Sequence, residues 1–139
     1  FTTIIPLIAI LAAGEHGAAA GAIRLVSDAA GEPVPALYFW VTGLLSAVLD
    51  NAPTYLVFFN VAHGEAATLM GPLADTLLAI SAGAVFFGAL TYIGNAPNFM
   101  IKAICEAQEI KMPSFFAYLG WAAAFLLPVF ALNTWVFFG

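Results

Sequence analysis

Ser46-Ala47-Val48-Leu49-Asp50-Asn51-Ala52-Pro53-Thr54 sets one carboxylate, an amide and a proline into sequence that is otherwise uncharged from Pro33 to Ala62. An acid at membrane depth is disfavoured by about 2.5–3.5 kcal/mol even on the mildest insertion scales, so such groups face a cavity, a pathway or a partner. A helix carrying Thr42, Ser46 and Asp50 at intervals of four puts all three on one face. Pro53 ends or kinks that helix close to Asp50, since proline lacks an amide donor and its ring clashes with the preceding turn.

About forty residues later, Thr91-Tyr92-Ile93-Gly94-Asn95-Ala96-Pro97-Asn98 repeats Asn-Ala-Pro within a second long apolar run. Proline- or glycine-interrupted apolar segments in corresponding places are the sequence signature of a transporter's midplane site, because unwound backbone there exposes amides and carbonyls.

Composition fixes the class. Hydrophobic residues make up 63% of the 139 and charged residues 8%, with a mean hydropathy of +1.01, far from the soluble balance of roughly one charged residue in four. The chain is expected to be an all-α membrane protein, and at about twenty residues per crossing it holds three or four membrane segments. The net charge of −5 comes from few charges without a basic patch, which excludes a nucleic-acid partner. Cys105 is the only cysteine, so there is no internal disulfide and no thiolate metal motif.

Along the chain, residues 1–13 read as part of a transmembrane helix and 14–35 as an extramembrane loop, with a short surface helix over Ala18 to Val26. Residues 36–62 are either one broken crossing or two short arms of a hairpin; the periodicity allows both. Residues 72–110 read as a transmembrane helix broken at Gly94 to Pro97, with Ser81, Ala84 and Gly88 as small residues for close helix contact. Residues 115–138 form the last crossing, bent at Pro128, with Trp121 and Trp135 toward its ends. Lys102 and Lys111 bracket a turn that the positive-inside rule assigns to the cytoplasm.

Leu49-Asp50-Asn51-Ala52-Pro53 followed by Tyr92-Ile93-Gly94-Asn95-Ala96-Pro97-Asn98-Phe99-Met100 resembles the C-terminal half of ion transporter superfamily proteins, in particular bacterial NhaD-like sodium/proton antiporters and citrate-transporter-like relatives. The resemblance covers most of Ala36 to Phe138. It implies a helical half-transporter in which residues 36–62 form a re-entrant helical hairpin and the second motif is the unwound centre of a broken transmembrane helix. It also implies a bacterial inner-membrane location, a missing N-terminal half of inverted topology carrying the rest of the site, and a homodimer.

The donors themselves favour a cation. Sodium prefers hard oxygen ligands, and Ser46, Asp50, Asn51, Thr91, Asn95 and carbonyls freed around Gly94 supply them, with Asn98 nearby. Asp50, Asn51 and Asn95 are the expected sodium ligands, and Pro53 and Pro97 the helix breaks. Burial disfavours a charged carboxylate and a bound cation restores it, so proton and sodium compete at Asp50. Citrate- and dicarboxylate-carrying relatives tend to have a neutral Ser-Asn-Thr in place of Asp50-Asn51-Ala52.

Each assignment has a plainer counterpart. Asp50 can be a helix cap, and Asn51, Asn95, Ser46, Thr42 and Thr91 can bond backbone left open by the breaks. Lys102 can be a snorkelling end residue and His63 a solvated loop histidine, while Asn60 is unexplained. Three functions follow: sodium/proton antiport, sodium-coupled carriage of citrate or another carboxylate, and a non-transporting membrane subunit. No enzyme is expected, since no metal-ligand pair or nucleophile-base pairing falls in the apolar runs, and no cofactor beyond sodium and protons is needed.

Overall fold

The computed structural model describes residues 20–62 and 64–139. The transmembrane reading of residues 1–13, the first part of the 14–35 loop and His63 lie outside the described residues. All named elements are helical: α1 (Ala20–Val26), α2 (Pro35–Ser46), α3 (Asn51–Val61), α4 (Ala66–Met70), α5 (Ala74–Phe86) continued by a 3-10 turn (Phe87–Leu90), α6 (Ala96–Ala107) and α7 (Phe115–Phe137). An isolated bridge between Ser27 and Pro33 closes the turn after α1.

The core is built on α2. Pro35 stands in its first turn, where a missing amide hydrogen is harmless. Two neighbouring stripes of α2 are then buried: Tyr38, Thr42 and Ser46 on one, Phe39 and Gly43 on the other. The first faces α3, where the Tyr38 and Phe58 rings meet edge-on at 6.3 Å and Ser46 meets Asn51. Tyr38 lies near the start of α2 and Phe58 near the end of α3, so these helices are antiparallel.

The second stripe faces α5, and here the register is unusual. A Cβ on Gly83 would stand 2.5 Å from the Phe39 carbonyl oxygen, and one on Gly43 would run into the Phe87 ring. Beyond them, the Thr91 hydroxyl donates to the Ala47 carbonyl. Each of these pairs is separated by 44 residues, so α2 and α5 run parallel at a constant offset. Large and small residues exchange sides between the first two pairs, phenylalanine on glycine and then glycine on phenylalanine. Without a hydrophobic drive between helices in lipid, this close approach over small residues is what holds them together.

Asn51-Ala52-Pro53 and Asn95-Ala96-Pro97 are also 44 residues apart. The packing offset equals the motif spacing, which brings the two breaks to the same level, side by side.

The only helix among those described that is long and apolar enough to cross a membrane is α7, with a mean hydropathy of 2.0 over its best window. Its 23 residues extend roughly 35 Å at 1.5 Å each, and Ser114 caps its first turn through Ala117 N at 3.3 Å. One side of it lies against the core, through Leu119, Ala122, Ala123, Leu126 and Phe130. Phe130 stacks on Phe87 at 4.3 Å, Trp40 Nε1 donates to Thr134 Oγ1 at 2.9 Å, and Tyr118 OH donates to the Ala89 carbonyl at 3.1 Å. Phe116, Trp121, Phe125 and Trp135 stay exposed, a surface suited to lipid.

Candidate functional site

Both breaks start helices, and the prolines lie inside the first turns. After α2 the chain turns through residues 47–49, and Asp50 caps α3, its Oδ1 accepting from Asn51 N at 2.8 Å. Pro53 is therefore the third residue of α3 and Pro97 the second of α6, positions whose amide hydrogens would have no partner within the helix. Because α2 ends at Ser46, Asp50 does not share its face with Thr42 and Ser46 as an unbroken helix would require. The pull of a capping acid on the next helix outweighs continuation of the last one.

The second break is wider. After the 3-10 turn, Thr91 is extended, and Asn95 caps α6 by accepting from Asn98 N at 3.0 Å. Thr91 also uses its hydroxyl locally, accepting from Gly94 N at 2.9 Å. Asn98 reaches back with Nδ2 to the carbonyls of Gly88 at 3.2 Å and Thr91 at 3.1 Å.

Asn51 joins the two breaks. In the amide orientation that satisfies its surroundings, Nδ2 lies within donating distance of the Ala84 carbonyl at 2.9 Å, Ser46 Oγ at 3.0 Å and the Gly94 carbonyl at 3.2 Å. Ser46 in turn donates to the Ala84 carbonyl. The contact depends on two glycines. A Cβ on Gly88 would stand 2.7 Å from the end of the Asn51 side-chain amide, and one on Gly94 would stand 2.7 Å from the Gly88 oxygen and 3.1 Å from the Ala47 oxygen.

Ser46, Asn51, Thr91, Gly94, Asn95 and Asn98 thus form one connected cluster, with Asp50 adjoining it through Asn51. Ser46 and Thr91 are buried, Asn51, Asn95 and Asn98 half-buried, and Asp50 is exposed. The carbonyls of Ala47, Ala84, Gly88, Thr91 and Gly94 each accept a side-chain hydrogen bond, so those freed around Gly94 are already engaged within the cluster. The oxygens turned outward are those of the Asp50 carboxylate. Sequence reasoning passed over Ala84 and Gly88 as site residues and noted them only as small residues for packing; what it lacked was the parallel register that brings them to Asn51.

Lys102 pairs with Glu106 at 2.6 Å and lies over the Tyr92 ring, 5.6 Å from its centre. Tyr92 stacks on Tyr118 at 4.1 Å and donates to the Pro113 carbonyl at 3.2 Å, tying the second break to the start of α7. Among the described residues there is no cluster of three or more His, Cys, Asp or Glu side chains of the kind that holds a metal.

Two helix starts thus lie at one level, with an acid and a set of amides beside them. Over residues 1–138 the chain matches a family model described as "Putative citrate transport". No curated protein and no solved structure matches it.

Proposed function

The chain belongs to this citrate-transport family, and from that membership we propose that it carries the two-break site of a sodium-coupled carboxylate transporter, with Asp50 as the cation ligand. The observation that supports this reading is the side-by-side placement of the α3 and α6 N-termini. Each helix start presents about half a positive charge, and helix starts bind carboxylates well.

Together the two ends amount to roughly one positive charge, and the Asp50 carboxylate beside them offsets it. A carboxylate substrate arriving alone therefore meets a nearly neutral site. A sodium ion on Asp50 restores the positive balance, which makes cation binding the step that admits the anion. Asn51 and Asn95 are the neighbouring amides placed to complete the ion's or substrate's contacts, while Ser46, Thr91 and Asn98 hold the two breaks in shape. The bilayer and a second copy of the chain are the partners that go with this reading.

Sodium/proton exchange is the second reading, favoured by one observation: Asp50 is ionisable and exposed at the break. Proton and sodium would then alternate on that carboxylate with no anion carried.

The intact protein in sealed vesicles separates these readings. Labelled citrate accumulating under an inward sodium gradient, and failing to do so when choline replaces sodium, supports the first. Sodium-driven pH change without any carboxylate supports the second. Absence of both across a panel of di- and tricarboxylates would sink both in favour of a non-transporting subunit.

A further inference from the structure

The hairpin of α2 and α3 contains a polar pair that the bonding at the breaks does not use. Its register is fixed at two points, Ser46 against Asn51 near the tip and Tyr38 against Phe58 farther down. Thr42 lies four residues from both Tyr38 and Ser46, and Thr54 lies three from Asn51 and four from Phe58. Each threonine therefore sits on the seam face of its own helix, and at 1.5 Å per residue the two points of register set them within about 1.5 Å of the same height.

Both side chains are fully buried, yet neither hydroxyl has a hydrogen-bond partner among the described residues. A threonine in a helix commonly returns its hydroxyl to the carbonyl one turn back, as Thr134 does to Phe130. Thr42 and Thr54 do not. Buried hydroxyls are costly unless paired, and here the register sets two of them at one level of the hairpin.

We propose that Thr42 and Thr54 form a hydration site in the hairpin seam, one turn below the Ser46–Asn51 contact, that holds a single water molecule. A hydroxyl donates one hydrogen bond and accepts two, so the pair supplies the two to four polar contacts that a buried water requires. A cation fits less well. Asp50 is the only charged residue from Pro33 to Ala62, it is exposed at the tip, and two neutral hydroxyls cannot replace an ion's lost hydration. With the water in place the seam carries three polar levels in succession, Asp50, then Ser46 and Asn51, then Thr42 and Thr54. The polar column extends from the surface into the core whatever solute the breaks hold.

X-ray radiolytic footprinting of the intact protein in detergent tests this, because radicals formed from a bound water label the side chains beside it. Tyr38 and Phe58, buried one turn below the pair, are expected to be labelled well above Phe87, which is as deeply buried on the α5 side of α2. The T42V/T54V variant is expected to lose that labelling several-fold, while T42S/T54S keeps it. Labelling of Tyr38 and Phe58 no higher than that of Phe87, or unchanged in T42V/T54V, would overturn the proposal. Labelling that changes when choline replaces sodium would overturn it in favour of a cation. If the double valine variant does not fold, the single variants decide by the same labelling. Melting midpoints give a separate reading: a shared water makes the two valine effects non-additive, whereas independent, additive gains in stability would mean a dry seam.

Discussion

Asn-Ala-Pro starts a helix twice in this molecule, and the two helices meet different fates. The first, α3, is drawn into the core and buries Thr54, Phe58 and Val61. The second, α6, buries no residue and leaves Phe99, Met100, Ile101 and Ile104 exposed. The motif itself therefore sets where a helix begins and has no say in where it packs. That is decided by the residues that follow: Thr54 to Val61 carries no charge, whereas Lys102 and Glu106 give α6 one face that requires water or an ion pair. The breaks also differ at the position just before each Asn-Ala-Pro, where Asp50 in the first corresponds to Gly94 in the second. The acid faces outward and the glycine faces the other break.

Exchanging the demands of those two positions gives the sharpest contrast. Asp50→Asn is expected to abolish sodium-dependent transport in vesicles while leaving the melting midpoint nearly unchanged, since an asparagine caps a helix as well as an aspartate does. Retained transport would remove the carboxylate from the mechanism. Gly94→Ala should do the reverse of this at the level of folding. Its methyl group would collide with backbone oxygens on both sides, and overpacking of this kind costs about 1–3 kcal/mol, visible as a lower midpoint in detergent. A midpoint equal to wild type would mean that the breaks are not in contact.

The asparagines rank next. Asn51→Ala removes a side chain that reaches from the first break to the second, leaving the Gly94 carbonyl without its donor and the Ala84 carbonyl with Ser46 alone, and is expected to cost about 1–3 kcal/mol. Asn95→Ala loses one capping bond, about 1 kcal/mol. Equal losses in the two variants, measured by denaturation in the same detergent, would erase the distinction between a bridging and a capping asparagine. Smallest of all, Pro53→Ala and Pro97→Ala should each shift stability by no more than about 1 kcal/mol, because first-turn proline acts mainly through the unfolded chain. A large loss at Pro53 alone would show that it forces the reversal after α2.

Much of this arrangement is legible in the sequence. The apolar composition gives a helical membrane chain, and the two Asn-Ala-Pro motifs give the interruptions and most of the residues that gather there. Less legible is the sense of each interruption. Proline in an apolar run reads as an ending, but Asp50 and Asn95 are caps, and a cap assigns the proline to the helix that follows. Nor does pattern alone reveal that Thr91 bonds to Ala47 or Asn51 to Ala84. Those contacts depend on α2 and α5 lying parallel at one fixed offset, a long-range property carried by the Phe39–Gly83 and Gly43–Phe87 pairs and by no local preference.

Those same pairs act as key and keyway. Sliding α2 along α5 by a single turn would set the Phe39 ring against the Phe87 ring in one direction and leave Gly43 facing Gly83 across a gap in the other, so neither neighbouring setting packs as well as this one. The two interrupted segments are thereby fastened to each other as one solid piece, and a change of register between them is not a motion this packing allows.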